Sequence, residues 1–303
     1  MPAPPPNRPL GTHRASRLLN IGVPYLWLCI FFLLPFVIVL RISLAEPALA
    51  QPPYTALWEW LEGGLLRIQL NLGNFILVWE DDLYLAALLN SLRVALICTL
   101  LCLLLGYPMA YAIATAPERH RVILLMLIIL PFWTSFLIRV YAWIGILKTQ
   151  GPLNDLLIAL GLIEAPLAIL HTQTAVYIGV VYSYLPFMIL PLYANLSRLD
   201  PSLLEAAADL GCRPFSAFLR ITLPLSLAGI LAGSMLVFIP VVGEFVIPDL
   251  LGGPDSLMIG KLLWTEFFAN KDWPLASALA ILLLGLLVLP FVLMQRMQHR
   301  MEG

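Results

Sequence analysis

Three charged side chains lie inside long apolar stretches of this 303-residue sequence: Arg93, Arg139 and Glu244. A charge at a bilayer centre costs about 2.5–3.5 kcal/mol on insertion scales, so each of them demands a use. Glu244, within Gly243-Glu244-Phe245, is a carboxylate that could pair transiently with an alkylammonium ion along a path. Trp133, Tyr182, Tyr184 and Trp264 are aromatic side chains able to add cation–π attraction to such an ion. The competing use of Glu244 is packing, with Arg139 or another subunit as its ion-pair partner. For the aromatic residues the competing use is anchoring at the membrane–water interface, where Trp and Tyr concentrate.

Other chemistries find no residues to carry them. The sequence has no His-Glu-x-x-His, no Gly-x-Ser-x-Gly and no paired acids within an apolar stretch, as a hydrolase or intramembrane protease would need. Gly260-Lys261 imitates the end of a phosphate-binding loop. Leu262 follows it in place of Ser or Thr, and Asp255 stands where the first loop glycine belongs. No catalytic residue, metal site or bound cofactor is therefore expected. The cysteines Cys29, Cys98, Cys102 and Cys212 sit in apolar or inward segments and suggest buried thiols, with no disulfide framework.

The elements that must hold these side chains are membrane helices. Hydrophobic residues make up 61% of the chain and charged residues 12%, against roughly 45–50% and 25% in a soluble domain. The net charge of −1 gives no field for nucleic acid. A span needs about 20 mostly apolar residues. Six stretches qualify: Ile21–Leu40, Tyr84–Thr115, Val122–Leu147, Thr174–Leu196, Leu223–Ile247 and Leu275–Met294. Pro35, Pro108, Pro131, Pro186, Pro191 and Pro240 fall inside them, which membrane helices tolerate because neighbours satisfy the freed backbone groups. Gly229 and Gly233 form a small-xxx-small pair suited to close helix packing, within the chain or between subunits.

Orientation follows from the basic residues. Arg8, Arg14, Arg17, Arg119, Arg121, Arg198, Arg213, Arg220, Arg296 and Arg300 flank one side. Arg41, Arg67, Lys148, Lys261 and Lys271 flank the other, half as many over longer loops. Both termini are expected in the cytoplasm. The first outer loop is acidic, with Glu46, Glu59, Glu62, Glu80, Asp81 and Asp82. The apolar run from Leu18 to Leu40, followed by Ala48-Leu49-Ala50, imitates a signal peptide. It exceeds the roughly 7–15 residues of such a core, so it is expected to be a retained first helix. Residues 1–19 are expected to form a Pro-rich cytoplasmic tail, 20–296 the transmembrane domain and 297–303 a cytoplasmic end.

Within the cytoplasmic loop 198–222 the residues Asp200-Pro201-Ser202-Leu203-Leu204-Glu205-Ala206-Ala207-Ala208-Asp209-Leu210-Gly211 spell a short helix. Asp200 is a cap, Pro201 fits the first position and Gly211 fits the left-handed residue past the end. Leu203, Leu204, Ala207 and Leu210 share a face, and a second short helix is expected over Phe215–Arg220 after Pro214. Such a capped helix is either a knob for a partner's groove or a tight connector.

Glu205-Ala206-Ala207, Gly211, Ile221, Leu223 and Pro224 stand at the spacing EAA-x3-G-x9-I-x-L-P without gap or insertion. This resembles the permeases of binding-protein-dependent ABC importers. The run Gly233–Pro248, then Leu250-Leu251-Gly252-Gly253-Pro254-Asp255, then Leu263-Trp264-Thr265-Glu266-Phe267-Phe268 and Asp272-Trp273-Pro274 is similar to the polyamine branch, permeases for putrescine uptake in particular. The resemblance implies an all-α type I (MetI-like) transmembrane domain of about six helices in a bacterial inner membrane. It also implies that residues Glu205, Ala206, Ala207, Gly211, Ile221, Leu223 and Pro224 form the coupling helix and its loop on an ATPase subunit. Partners implied are a second permease subunit, two ATPase subunits that use ATP and Mg, and a periplasmic polyamine-binding protein. The runners-up are a permease for another small solute, and a channel or secondary transporter. Internal symmetry of the kind secondary transporters can carry is not evident.

Overall fold

The computed structural model describes residues 11–61 and 65–302; Pro2 to Pro9, with Arg8, lie outside them. Its contacts cluster into two units, residues 1–76 with 271–281, and residues 77–270 with 282–303.

In the first unit, α1 (Gly11–Leu28) continues through a π turn at Cys29–Leu33 into α2 (Leu34–Ser43). The stretch Asn20–Ser43 is long and apolar enough to span, and none of its most apolar window is buried. Beyond it lies a small antiparallel hairpin, β1 (Trp58–Leu61) with β2 (Leu65–Ile68), pairing Trp58 with Ile68. The acidic first outer loop thus carries a short hairpin. The Arg41 guanidinium sits 4.4 Å from the Trp58 ring centroid, and Asn74 donates to the carbonyls of Ser43 and Ala45. Short α3 (Gly73–Glu80) follows.

The second unit is built on three helices packed in pairs: α4 (Asp82–Thr115), α8 (Gln173–Leu196) and α12 (Leu227–Val242). Asp81 starts α4 by accepting from the Leu83 amide at 2.8 Å, the arrangement of an N-cap. Cys98 and Cys102 of α4, Val180, Met188 and Leu192 of α8, and Val237 and Val241 of α12 are fully buried in one core. Small residues set how closely these helices approach. A Cβ on Gly229 would stand 2.8 Å from Asn195 Cβ, and one on Gly233 would stand 2.8 Å from Met188 Sδ. The small-xxx-small pair therefore packs within the chain, against α8.

Two of the expected spans, both with internal prolines, are bent. α5 (Glu118–Ile129) runs into a 3-10 turn at Leu130–Trp133, and then α6 (Phe136–Leu147) leaves at 91°. Pro131 has no amide to extend the α5 ladder, and Thr134 and Ser135 are extended or nearly so, with ψ of 151° and 137°. The fifth span bends by 64° at Ser226 and stops at Val242, short of Ile247. Before the bend, the expected helix Phe215–Arg220 is instead α10 (Pro214–Ala217), a π turn at Phe218–Thr222 and α11 (Leu223–Leu225). Pro224 cannot donate to the carbonyl four residues back, so the winding changes there.

Among the described residues, three helices are thus long and apolar enough to cross a membrane, and the two bent pairs raise the count to five. The sixth expected span falls in α15 (Trp273–Glu302), whose apolar part runs over Trp273–Val288. Short α7 (Pro152–Ala159) follows α6 and precedes α8. After α12 come α13 (Val246–Leu251), α14 (Ile259–Trp264) and a π turn at Thr265–Ala269.

Candidate functional site

Two places gather the residues that the sequence singled out. The first is α9 (Ser202–Asp209). Asp200 Oδ1 accepts from the Ser202 amide at 2.9 Å. That hydrogen bond holds the exposed Asp200 carboxyl below the ordinary aspartate range. The sign follows from the lowered value: the cap stabilises at neutral pH and is lost as pH falls through the folded-state value. At the other end Gly211 has φ of 76°. Its amide bonds Ala208 O, and the Cys212 amide bonds Ala207 O, at 2.8 and 2.9 Å. This is the Schellman pattern, which favours glycine at its left-handed residue.

The apolar face of this helix is divided. Ala207 is buried and Leu204 half-buried, whereas Leu203, Leu210 and, beyond the turn, Phe215 are 44%, 88% and 72% exposed. Glu205 is exposed as well. Ile221 and Leu223 are half-buried, and Leu223-Pro224 leads directly to the bend at Ser226.

The second place is the carboxylate of Glu244, 8% exposed. Glu244 Oε2 accepts from the Tyr184 hydroxyl at 2.5 Å, and Oε1 accepts from the Val246 and Ile247 amides at 3.0 and 3.4 Å. Both oxygens are thus engaged within the chain, and the two amides are the free donors at the start of α13. The alternative pairing of Glu244 with Arg139 is not formed. Arg139 lies over Phe132 and Phe136, 5.0 and 5.9 Å from their centroids, and its Nε has no partner. Arg93 projects from the exposed side of α4.

Aromatic rings extend from Glu244 in two directions. On one side Tyr184 neighbours Phe187, which meets Phe132 edge-on, with centroids 6.0 and 5.3 Å apart. On the other, Phe245 stacks on Trp264 at 4.8 Å, and Trp264 neighbours Phe268 at 4.1 Å. Trp264 is 46% exposed. Trp133 and Tyr182 join neither row. Trp133 is largely exposed, and Tyr182 packs on Trp143 and lines an apolar cavity of about 420 Å³ with Met109, Leu124 and Pro186. Removing one hydroxyl tests how tightly this centre is held. Tyr184→Phe leaves Glu244 Oε2 without its donor, so thermal unfolding in detergent is expected to show a loss of about 1–3 kcal/mol.

A second buried carboxylate escaped the sequence reading. Glu266, 7% exposed, accepts from the Tyr84 hydroxyl at 2.9 Å and from Nδ2 of the Asn270 side chain at 2.8 Å. Close by in sequence, Ser91 Oγ accepts from the Ile259 amide and Asn90 donates to Leu257 O. The first third of α4 therefore holds residues 257–266 in place. The available signal was an acid among Trp264, Phe267 and Phe268, in a segment that reads as an outer loop.

The family model described as "Binding-protein-dependent transport system inner membrane component" matches residues 17–303. The spermidine/putrescine transport system permease protein PotB of Salmonella typhimurium strain SL1344 is 48% identical over 212 residues, 69% of this chain and 74% of that protein. PotB of Haemophilus influenzae is 37% identical over 285 residues, covering 93% and 95%. Among solved structures, a bacterial alginate ABC transporter in complex with an alginate-bound periplasmic protein has a chain that superposes with a TM-score of 0.67. It covers 95% of this chain and 96% of its own at 18% identity, a likeness of fold alone.

Proposed function

The chain belongs to the inner membrane components of binding-protein-dependent transport systems, the ABC importer permeases, and from that premise we propose that it carries putrescine or spermidine inward as one half of a heterodimeric permease. ATP and Mg are used by two separate ATPase subunits, and a periplasmic polyamine-binding protein delivers the cargo. Both termini lie in the cytoplasm, on the side richer in Arg.

The observation that carries this reading is α9. The residues Glu205, Ala206, Ala207 and Gly211 form a capped helix whose Leu203 and Leu210, with Phe215 beside them, are open to a partner. Apolar anchors on a short rigid helix suit a groove, and the ATPase is the partner that the motif indicates. Closure of the ATPase pair on ATP pushes this helix, and the segment through Ile221, Leu223 and Pro224 passes the displacement to α12. Alternating access then follows by rigid-body motion. Cargo runs past Tyr184 and Trp264, in the two aromatic rows that extend from Glu244. Glu244, tied by three donors, supplies negative potential and fixes α13, and does not leave its partners to bind cargo.

The test is co-purification of the ATPase with this chain and its partner permease. Gly211→Asn is expected to keep the ATPase, because Asn tolerates the left-handed conformation. Glu205→Ala combined with Gly211→Val is expected to lose it, since left-handed backbone costs a residue with a Cβ roughly 1–2 kcal/mol. Full retention by the second variant sinks the docking assignment.

A further inference from the structure

The docking helix must be joined to the spans by something that transmits force, and the residues after it contain one polar joint. Ser226 is fully buried at the 64° bend. Its Oγ donates to Leu223 O at 3.0 Å and lies 2.8 Å from the Tyr107 hydroxyl. A serine hydroxyl has one hydrogen. With that hydrogen on Leu223 O, Tyr107 must be the donor in the bond to Ser226. Among the described residues this is the one side-chain hydrogen bond joining residues 200–226 to another helix.

An apolar joint lies beside it. Phe218, in the π turn, meets the rings of Tyr107 and Tyr111 edge-on, with centroids 5.5 and 6.3 Å away and planes at 87° and 88°. The two tyrosines are one turn apart on α4 and so stack on one face. Such edge-to-face contacts have a preferred geometry and resist sliding. At the same level α4 is tight against α8, since a Cβ on Gly106 would stand 3.1 Å from Met188 Cγ. Displacement of the π turn therefore cannot be absorbed by slack beside α4.

We propose that Tyr107 and Ser226, with Phe218 edge-on to the rings of Tyr107 and Tyr111, form a latch that makes α4 and α12 move together with the docking helix. They are positioning residues: they touch neither cargo nor nucleotide, and they set how much of the ATPase stroke reaches the spans. The inference rests on the assignment of α9 as the ATPase-docking helix. A latch of this kind has a distinct failure. Without it the ATPase still docks and still hydrolyses ATP, but the bend at Ser226 gives way and the stroke is spent locally.

The experiment uses the complete complex of both permeases, ATPase and binding protein in lipid vesicles, with radiolabelled putrescine. Uptake and ATP hydrolysis are measured on the same sample. Tyr107→Phe and Ser226→Ala are each expected to retain the ATPase and to lower putrescine carried per ATP by about three- to ten-fold, the range one hydrogen bond spans. The double variant is expected to be no worse than Ser226→Ala alone, because that variant already removes the Tyr107 bond together with the one to Leu223 O. Tyr111→Phe keeps its ring against Phe218 and is expected to match the native ratio. Native ratios in both single variants overturn the latch, as do effects that multiply in the double variant, or a Tyr111→Phe defect as large as that of Tyr107→Phe. If the ATPase fails to bind even the native permease, the docking assignment falls and the latch falls with it.

Discussion

Replacing Leu210 and Phe215 together by alanine is expected to strip the ATPase from the complex and reduce putrescine uptake to background, with the permease itself still folded. Both side chains are largely exposed, at 88% and 72%, so their removal opens no cavity in the chain. In a groove, however, they are the large anchors, and truncating an interface hot spot costs about 2 kcal/mol or more, roughly thirty-fold in affinity. Two such losses at a short helix leave little to hold the partner. Retention of helix content and of the native elution volume separates this outcome from misfolding. The check is pull-down of the ATPase with the purified permease pair.

The second large effect is expected from one methyl group at Gly260. A Cβ there would lie 2.4 Å from Gly243 O and 2.9 Å from Glu244 O. Both are backbone atoms, so neither can swing aside as a side-chain end would. Gly260→Ala must push the Gly243–Glu244 turn away, and with it the carboxylate that holds Tyr184 and the start of α13. Overpacking of this kind costs typically 1–3 kcal/mol, and here it also endangers three hydrogen bonds. A fall in melting temperature and in membrane yield is the expected readout. Gly285→Ala is the control, since nothing lies within 4 Å of the added methyl, and it is expected to behave as native.

How much of this was legible beforehand depended on the range of the interactions. Asp200, Glu205 and Gly211 lie within one short segment, where capping chemistry and a left-handed glycine are local properties, and their places in the structure follow the reading of the sequence. The positions of the long apolar helices also follow hydropathy, which sums over neighbours along the chain. The bends at Thr134–Ser135 and Ser226 did not. A proline marks each region, yet Pro108 lies inside the unbroken α4, so proline alone does not say which helix breaks. Partners far apart in sequence were the least legible. Tyr184 meets Glu244 across 60 residues, Tyr107 meets Ser226 across 119, and Tyr84 meets Glu266 across 182. Nothing in local periodicity encodes those pairs. The same limit explains why Arg139 was the natural candidate partner for Glu244, although it lies over Phe132 and Phe136.

The central claim is that this chain moves a polyamine when a separate ATPase pushes on α9. Its most direct test is putrescine uptake into vesicles containing both permeases and the ATPase, with binding protein added outside. Accumulation is expected only when ATP, binding protein and native Glu205 and Gly211 are all present. Accumulation without ATP, or an assembled complex that hydrolyses ATP and carries neither putrescine nor spermidine, would contradict it.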